Sequence, residues 1–239
     1  MKTLMIVASA LFLSTAAGHA QSNDGKPMIP SATANGEAVI SVEPDQAEID
    51  IGVVTQARSA PDAAKENADK LARVVGEVKK ILGKGDEIKT ASYSLNPNYR
   101  HPQGGKPEIV GYTATNILRI RTGNLTAVGK LIDASMQSGA NTLHRLVFNL
   151  KDEHAAQLQA LRLASTKARA KAEEMAAALG LKIVRVLFVA EGERSLRPIV
   201  MPQARGAQME ALAAAPTPVE AGSIEVRSSV TLTGELGAK

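Results

Sequence analysis

The stretch AEIDIGVVTQARSAPDAAKENADKLARVVGEV, residues 47–78, changes period in its middle. Ala47, Ile49, Ile51 and Val53 alternate with Glu48, Asp50 and Gly52, the two-residue repeat of a strand with one apolar face and one wet face. After Ser59 the spacing becomes helical. Ala64, Ala68, Leu71, Val75, Val78 and Leu82 fall on one stripe, Ser59 stands at the N-cap with Asp62 at the capping-box position, and Gly83 supplies the stop. Upstream, AVISV (38–42) is a second alternating run, and the EPDQ between them suits a turn at Pro44, so the two runs read as a hairpin.

Downstream the same alternation of strands and helices recurs. DEIKTASYSL and EIVGYTATNILRIR form a second hairpin around NPNYRHPQGGKP (96–107), with Val110, Tyr112, Ala114, Asn116, Leu118 and Ile120 on the core face. A short helix follows, capped by Asn124 and stopped at Gly139, with Leu125, Val128, Ile132 and Met136 inward. In SGANTLHRLVFNL (138–150) Leu143 is out of parity with Leu146, Phe148 and Leu150, so a one-residue bulge at His144 and Arg145 is expected, with Asn141 serving the turn. The longest helix spans 152–179, with an alanine-rich stripe of Leu158, Leu161, Ala168, Ala172, Met175 and Leu179. LKIVRVLFVAEG is apolar on both faces and reads as a covered central strand, whereas SIEVRSSVTLTGEL alternates and is half buried. The resulting class is α+β: mostly antiparallel sheets covered by helices, in two packed subdomains, with one long alanine-rich helix.

Between those last strands lies a proline- and alanine-rich arm, 194–222. Its Ile199, Val200, Met201, Met209 and Leu212 are candidate contacts with another copy of the chain, because a solvated linker has little use for such side chains. At the other end, Lys2, an apolar run and the closing GHA form a secretory leader, residues 1–20, followed by a flexible segment to residue 31 and, at the far terminus, a short tail, 237–239. Export to an oxidising compartment without a single cysteine means a fold held by packing alone, with no disulfide, thiolate or sulfur-ligated metal.

Pro44-Asp45, Gly52-Val53, Thr90, GYTATN (111–116), LID (131–133), GAN (139–141), FNLKD (148–152) and the alanine ladder of the long helix together resemble the SIMPL-domain family, over nearly all of 32–236. Where the family pattern has glycine-x-glycine, this chain has Gly36-Glu37-Ala38. The resemblance implies an α+β fold, the cell envelope as location, a link to oxidative-stress defence of unknown chemistry and, for at least some members, assembly into large rings. It carries over no catalytic residues.

The residues themselves offer little chemistry. His101, His144 and His154 fall in a loop, a strand and a helix start without metal-ligand spacing; no G-x-S-x-G elbow or phosphate loop occurs, and Glu173-Glu174 belong to a solvated helix face beside Lys171. No catalytic, cofactor-binding or metal residue is assigned and no cofactor is expected. Mixed charge and the absence of tryptophan exclude nucleic acid as partner. The expected function is a non-enzymatic periplasmic protein that self-assembles into a large, ring- or channel-like homo-oligomer, with an envelope component or membrane surface as a further partner. The alternative is an envelope binding module that holds a small acidic or sugar ligand, or a partner protein, through Tyr99, Arg100 and His101.

Overall fold

The computed structural model describes residues 29–192, 195–199 and 217–239; the leader and most of the 194–222 arm lie outside them. Eight strands and three helices follow one another as β1 (Ser31–Val42), β2 (Gln46–Ala57), α1 (Ala60–Ile81), β3 (Glu87–Arg100), β4 (Glu108–Thr122), α2 (Val128–Ser138), β5 (Thr142–Asn149), α3 (Glu153–Ala178), β6 (Leu181–Glu191), β7 (Ser195–Ile199) and β8 (Ser223–Ala238). A 3₁₀ turn at Leu125–Ala127 precedes α2. They build two antiparallel sheets. The first has the order β1-β8-β6, with β7 also paired to β8; the second has the order β3-β4-β2-β5. The α+β reading is therefore correct.

The expected hairpin of β1 and β2 does not form. β1 pairs along its whole length with β8, and β2 with β4 and β5, so the Pro44 turn carries the chain from one sheet to the other. Asp45 fixes that crossing. Its Oδ1 accepts the Lys151 N–H at 2.7 Å and its own N–H donates to the Asn149 carbonyl at 3.2 Å, which ties the β1–β2 link to the β5–α3 link. Local alternation could not reveal this, because a strand's pattern states which face is buried and not which neighbour supplies the hydrogen bonds.

In the second sheet β2 is central and buried from Ala47 to Val53. Ile49, Ile51, Val53, Leu118 and Ile120 meet Val74 and Val78 of α1 and Val128 and Leu131 of α2 in one core. Each large side chain buried there contributes roughly 1.5–3 kcal/mol. Ser59 caps α1 as expected, accepting the Asp62 N–H at 3.2 Å. The inward stripe is turned by one residue relative to the sequence reading: Ala63, Asn67, Val74 and Val78 are buried and Ala68 is exposed. The turn lets the Asn67 amide donate to the Val53 and Ala114 carbonyls, at 2.8 and 3.1 Å, joining the helix to two strands at once. Asn124 does not cap through its side chain; its Oδ1 instead accepts the Thr126 hydroxyl at 2.7 Å.

Asp86 closes the opposite end of this unit. It accepts the Gly83 N–H (2.8 Å), the Gly123 N–H (3.0 Å) and the Thr122 hydroxyl (3.0 Å), joining the α1–β3 turn to the end of β4. Burial pushes its carboxyl up, but those hydrogen bonds and the charge of Lys151 outweigh it and hold the group below the ordinary carboxylate range. A depressed carboxyl stabilises the fold above its unfolded pKa, about 3.9, and loses that contribution as pH falls through the folded value. Asp86→Ala is accordingly expected to cost about 2 kcal/mol at neutral pH, with the gap to the unaltered protein narrowing in urea titrations as pH falls below the unfolded value of about 3.9.

In the first sheet α3 lies across β1 and β8. Asp152 caps it, accepting the Ala155 N–H at 3.0 Å. Its buried line is alanine alone, at positions 156, 160, 164, 168, 172 and 176, while Leu158, Leu163, Met175 and Leu179 are exposed, a correction to the expected stripe. Gly36 explains the restriction. A Cβ built there would lie 2.0 Å from the Ala164 carbonyl oxygen and 2.4 Å from the Ala168 nitrogen, so helix and strand backbones touch with room for nothing larger than a methyl group between them.

β6 is the other correction. It lies on the edge of its sheet, not the centre, and the chain continues in the same direction through Gly192 into β7, so β8 is lined on that side by β6 and then β7. The first part of the expected arm, Ser195–Ile199, is thus a strand; Ile199 pairs with Ser223, and Val200, Met201, Met209 and Leu212 lie outside the described residues. The arm's return is anchored on α2, where Asp133 accepts the Thr217 N–H at 3.0 Å and its hydroxyl at 2.6 Å.

Candidate functional site

The polar knot around His144 sits on the face of the second sheet that no helix covers. The bulge is present. Arg145 pairs with Asp50 and Leu143 with Ile51, leaving His144 as the extra residue, although Leu143 remains exposed. His144 Nε2 and Thr142 Oγ1 lie 3.2 Å apart and fold over Gly52, where a Cβ would come within 2.2 Å of the hydroxyl and 2.6 Å of the imidazole. Asn141 acts farther away than the turn it was expected to serve. Its side chain accepts the Val54 N–H at 2.9 Å and donates to the Val54 carbonyl at 2.8 Å, so it continues the β5–β2 ladder as a strand residue would.

Beside this knot, Glu48 and Asp50 are buried on a face expected to be wet. Three arginines lie over them. Arg119 donates from Nε and Nη2 to Asp50, both at 2.8 Å, and its Nε is 3.3 Å from Glu48; Arg121 Nε donates to Glu48 at 2.8 Å; Arg145 contacts both carboxylates. Hydrogen bonding to Asp50 holds the Arg119 guanidinium above its ordinary pKa. Both carboxylates thus have their oxygens engaged by guanidinium donors. Arrangement and charge therefore make this cluster a cover for β2, which converts an open sheet face into a second buried layer.

His101 and His154 lie elsewhere, in the loop after β3 and in the first turn of α3. Among the described residues no three histidine, aspartate or glutamate side chains are placed to hold a metal ion. An open groove of about 590 Å³ lies between α1 and α2, lined by Arg73, Gly76, Glu77, Lys80, Ala134, Gln137 and Ser138, without a histidine.

The expected ligand loop is shorter than its sequence suggested. β3 runs through Tyr99 and Arg100 and β4 starts at Glu108, leaving residues 101–107 as the connection. Tyr99 is exposed on the ribbon, opposite Ile109, and His101 opens the loop. Arg100 donates from Nη2 to Glu108 at 2.9 Å, so its charge is already engaged.

The feature that sequence reading missed is β6. Val184, Phe188 and Val189 are 57, 56 and 56 % exposed, and Val186 and Leu187 are also open to solvent. Val186 and Phe188 pair with Gly234 and Thr233, neighbours on β8 that point to opposite faces, so this edge is apolar on both sides. A signal was available: Arg185, ion-paired to Glu235, sits in the middle of the run, where a strand covered on both sides has no place for a charge.

The scaffold is a two-sheet α+β fold whose buried β2 carboxylates are paired with arginines and whose β6 edge exposes apolar side chains. Residues 32–233 match the SIMPL family, described as a protein of unknown function (DUF541), and the chain belongs to that family. It is 30 % identical over 224 residues to the 26 kDa periplasmic immunogenic protein of Brucella melitensis, covering 91 % of this chain and 89 % of that one. It is 27 % identical over 176 residues to the uncharacterized protein YggE of Escherichia coli K12, covering 72 % and 69 %. To the protein of the same name in Edwardsiella ictaluri it is 22 % identical over 163 residues, covering 68 % of each.

Proposed function

We propose that this chain is an exported, periplasmic, non-enzymatic subunit that assembles with copies of itself into a large ring- or channel-like homo-oligomer. The periplasm is suggested by the leader-like first 20 residues and by the printed name of the Brucella relative. The single observation that carries the assembly reading is β6, whose apolar side chains are exposed on both faces of a sheet edge. An uncovered apolar edge is a hazard that folded proteins blunt or pair. The other edge of the same sheet is blunted: Lys171 Nζ donates to the Asn35 carbonyl of β1 at 2.9 Å.

The non-enzymatic reading is supported by the guanidinium cover that occupies Glu48 and Asp50 on the strand beneath His144. Any part in oxidative-stress defence is indirect, since the chain has no cysteine with which to reduce a peroxide. Capture of an acidic ligand by the 96–107 segment has less support, because Arg100 is committed to Glu108.

Multi-angle light scattering of the mature protein across a micromolar dilution series tests the reading. A mass of several chains that persists on dilution is the expected result. The mass of one chain at every concentration would overturn it.

A further inference from the structure

We propose that the outer face of the first sheet carries an oxyanion site, formed by Ser195 and Arg197 of β7 with Glu225 and Arg227 of β8, and that it takes a protonated phosphate, either free or as a small phosphomonoester. The site is independent of the self-assembly reading.

The register brings the four side chains together. Ser195 lies opposite Arg227 and Arg197 opposite Glu225, while Leu196 between them pairs with Val226 and packs on the core beneath α3. Successive residues of a strand alternate in face, so Ser195, Arg197, Glu225 and Arg227 all point away from α3. There they line a recess of about 270 Å³, with no aliphatic or aromatic side chain in its wall. Pockets for drug-sized molecules run from about 300 to 1,000 Å³, so this one suits a phosphate with at most a short organic group.

Free charge selects the ligand. Other arginines on the sheets are committed: Arg119, Arg121 and Arg145 to Glu48 and Asp50, Arg100 to Glu108, and Arg185 to Glu235. Among the described residues no carboxylate engages the Arg197 or Arg227 guanidinium, although Glu225 stands directly opposite Arg197. The two arginines are diagonal neighbours, about 7–8 Å apart at the backbone and within reach of one anion for side chains of this length. Each planar guanidinium presents paired N–H donors that match two oxygens of a phosphate, and a tetrahedral anion has oxygens enough for both, with the Ser195 hydroxyl as a further donor.

Glu225 narrows the choice. An ionised carboxylate only accepts hydrogen bonds, so it repels an anion that has no proton to give and welcomes one that does. Phosphate keeps a proton near neutral pH, and a phosphomonoester, whose second ionisation lies at about pH 6, is readily held in its protonated form. Sulfate has none to offer. Two guanidiniums less one carboxylate leave a single positive charge, which a phosphate monoanion neutralises.

Isothermal titration calorimetry of the mature protein at about pH 6, with inorganic phosphate, glycerol phosphate and sulfate in turn, tests the site. Expected are binding of both phosphates and sulfate binding at least about tenfold weaker. Arg197→Gln and Arg227→Gln should each weaken phosphate by about tenfold or more, the loss of a charged hydrogen bond, with unchanged melting curves because both side chains are exposed. Glu225→Gln, whose amide can donate, is expected to abolish the preference and admit sulfate. No binding at millimolar phosphate would overturn the proposal, and so would phosphate affinity unchanged in both arginine variants. Equal affinity of the unaltered protein for sulfate and phosphate would overturn the assignment of a protonated ligand. Protein that sediments with phosphatidic acid vesicles, while soluble phosphate and glycerol phosphate neither bind nor compete, would show a membrane-surface contact and overturn the site as well.

Discussion

Replacing Gly36 by leucine is expected to destabilise the fold by about 3 kcal/mol or more and to lower Tm by about 6–12 °C. The size follows from what surrounds the position. A Cβ there would stand 2.0 Å from one backbone atom of α3 and 2.4 Å from another, and backbone atoms of a helix cannot swing aside as the end of a lysine can. The helix must lift from β1, and the contacts of Ala164, Ala168 and Ala172 with Ala34, Ala38, Val230 and Leu232 are lost with it. Gly76→Ala provides a control of opposite sign. Nothing lies within 4 Å of a Cβ at that helix position, so the change is expected to be neutral or to stabilise by about 0.5–1 kcal/mol. A Gly36→Leu protein that melts with the unaltered one would contradict the close packing of α3 on β1.

That packing also shows why the long helix was only half legible. The alanine ladder at four-residue spacing is written plainly, but leucine and methionine attract the eye to a stripe that the structure leaves in solvent. Only knowledge of Gly36, more than a hundred residues away, shows that a large side chain cannot fit. The same limit explains β1 and β2. Each strand was recognisable by its alternation and the turn by Pro44, yet the sheet exchange depends on partners, β8 for one and β4 and β5 for the other, that no local pattern names.

The charged cover over β2 was readable in part. Glu48 and Asp50 stood out as the polar face of the strand, and that reading made them wet. Their burial becomes intelligible only when Arg119, Arg121 and Arg145, from β4 and β5, are brought across them. The bulge at His144 was legible because parity counts within a single strand, and it needed no knowledge of neighbours. β6 failed for the opposite reason. An apolar run on both faces is what a doubly covered strand looks like, whereas β6 is an edge strand with Val184, Phe188 and Val189 exposed.

A charge introduced on each face of β6 is therefore expected to have the largest effect on assembly. Val186→Glu with Phe188→Glu places both carboxylates at solvent-exposed positions of the single subunit, where surface substitutions usually change stability by no more than about 0.5 kcal/mol. Inside an apolar contact each unpaired carboxylate costs several kcal/mol, enough to shift association by orders of magnitude.

Sedimentation velocity of the unaltered protein beside this double variant, with circular dichroism melts of both, is the most direct test. A many-chain particle that falls to the mass of one chain on substitution, with the melting curve of the subunit retained, is the predicted result. A double variant that sediments with the same multi-chain mass as the unaltered protein would contradict the assignment of β6 as the surface that holds the copies together.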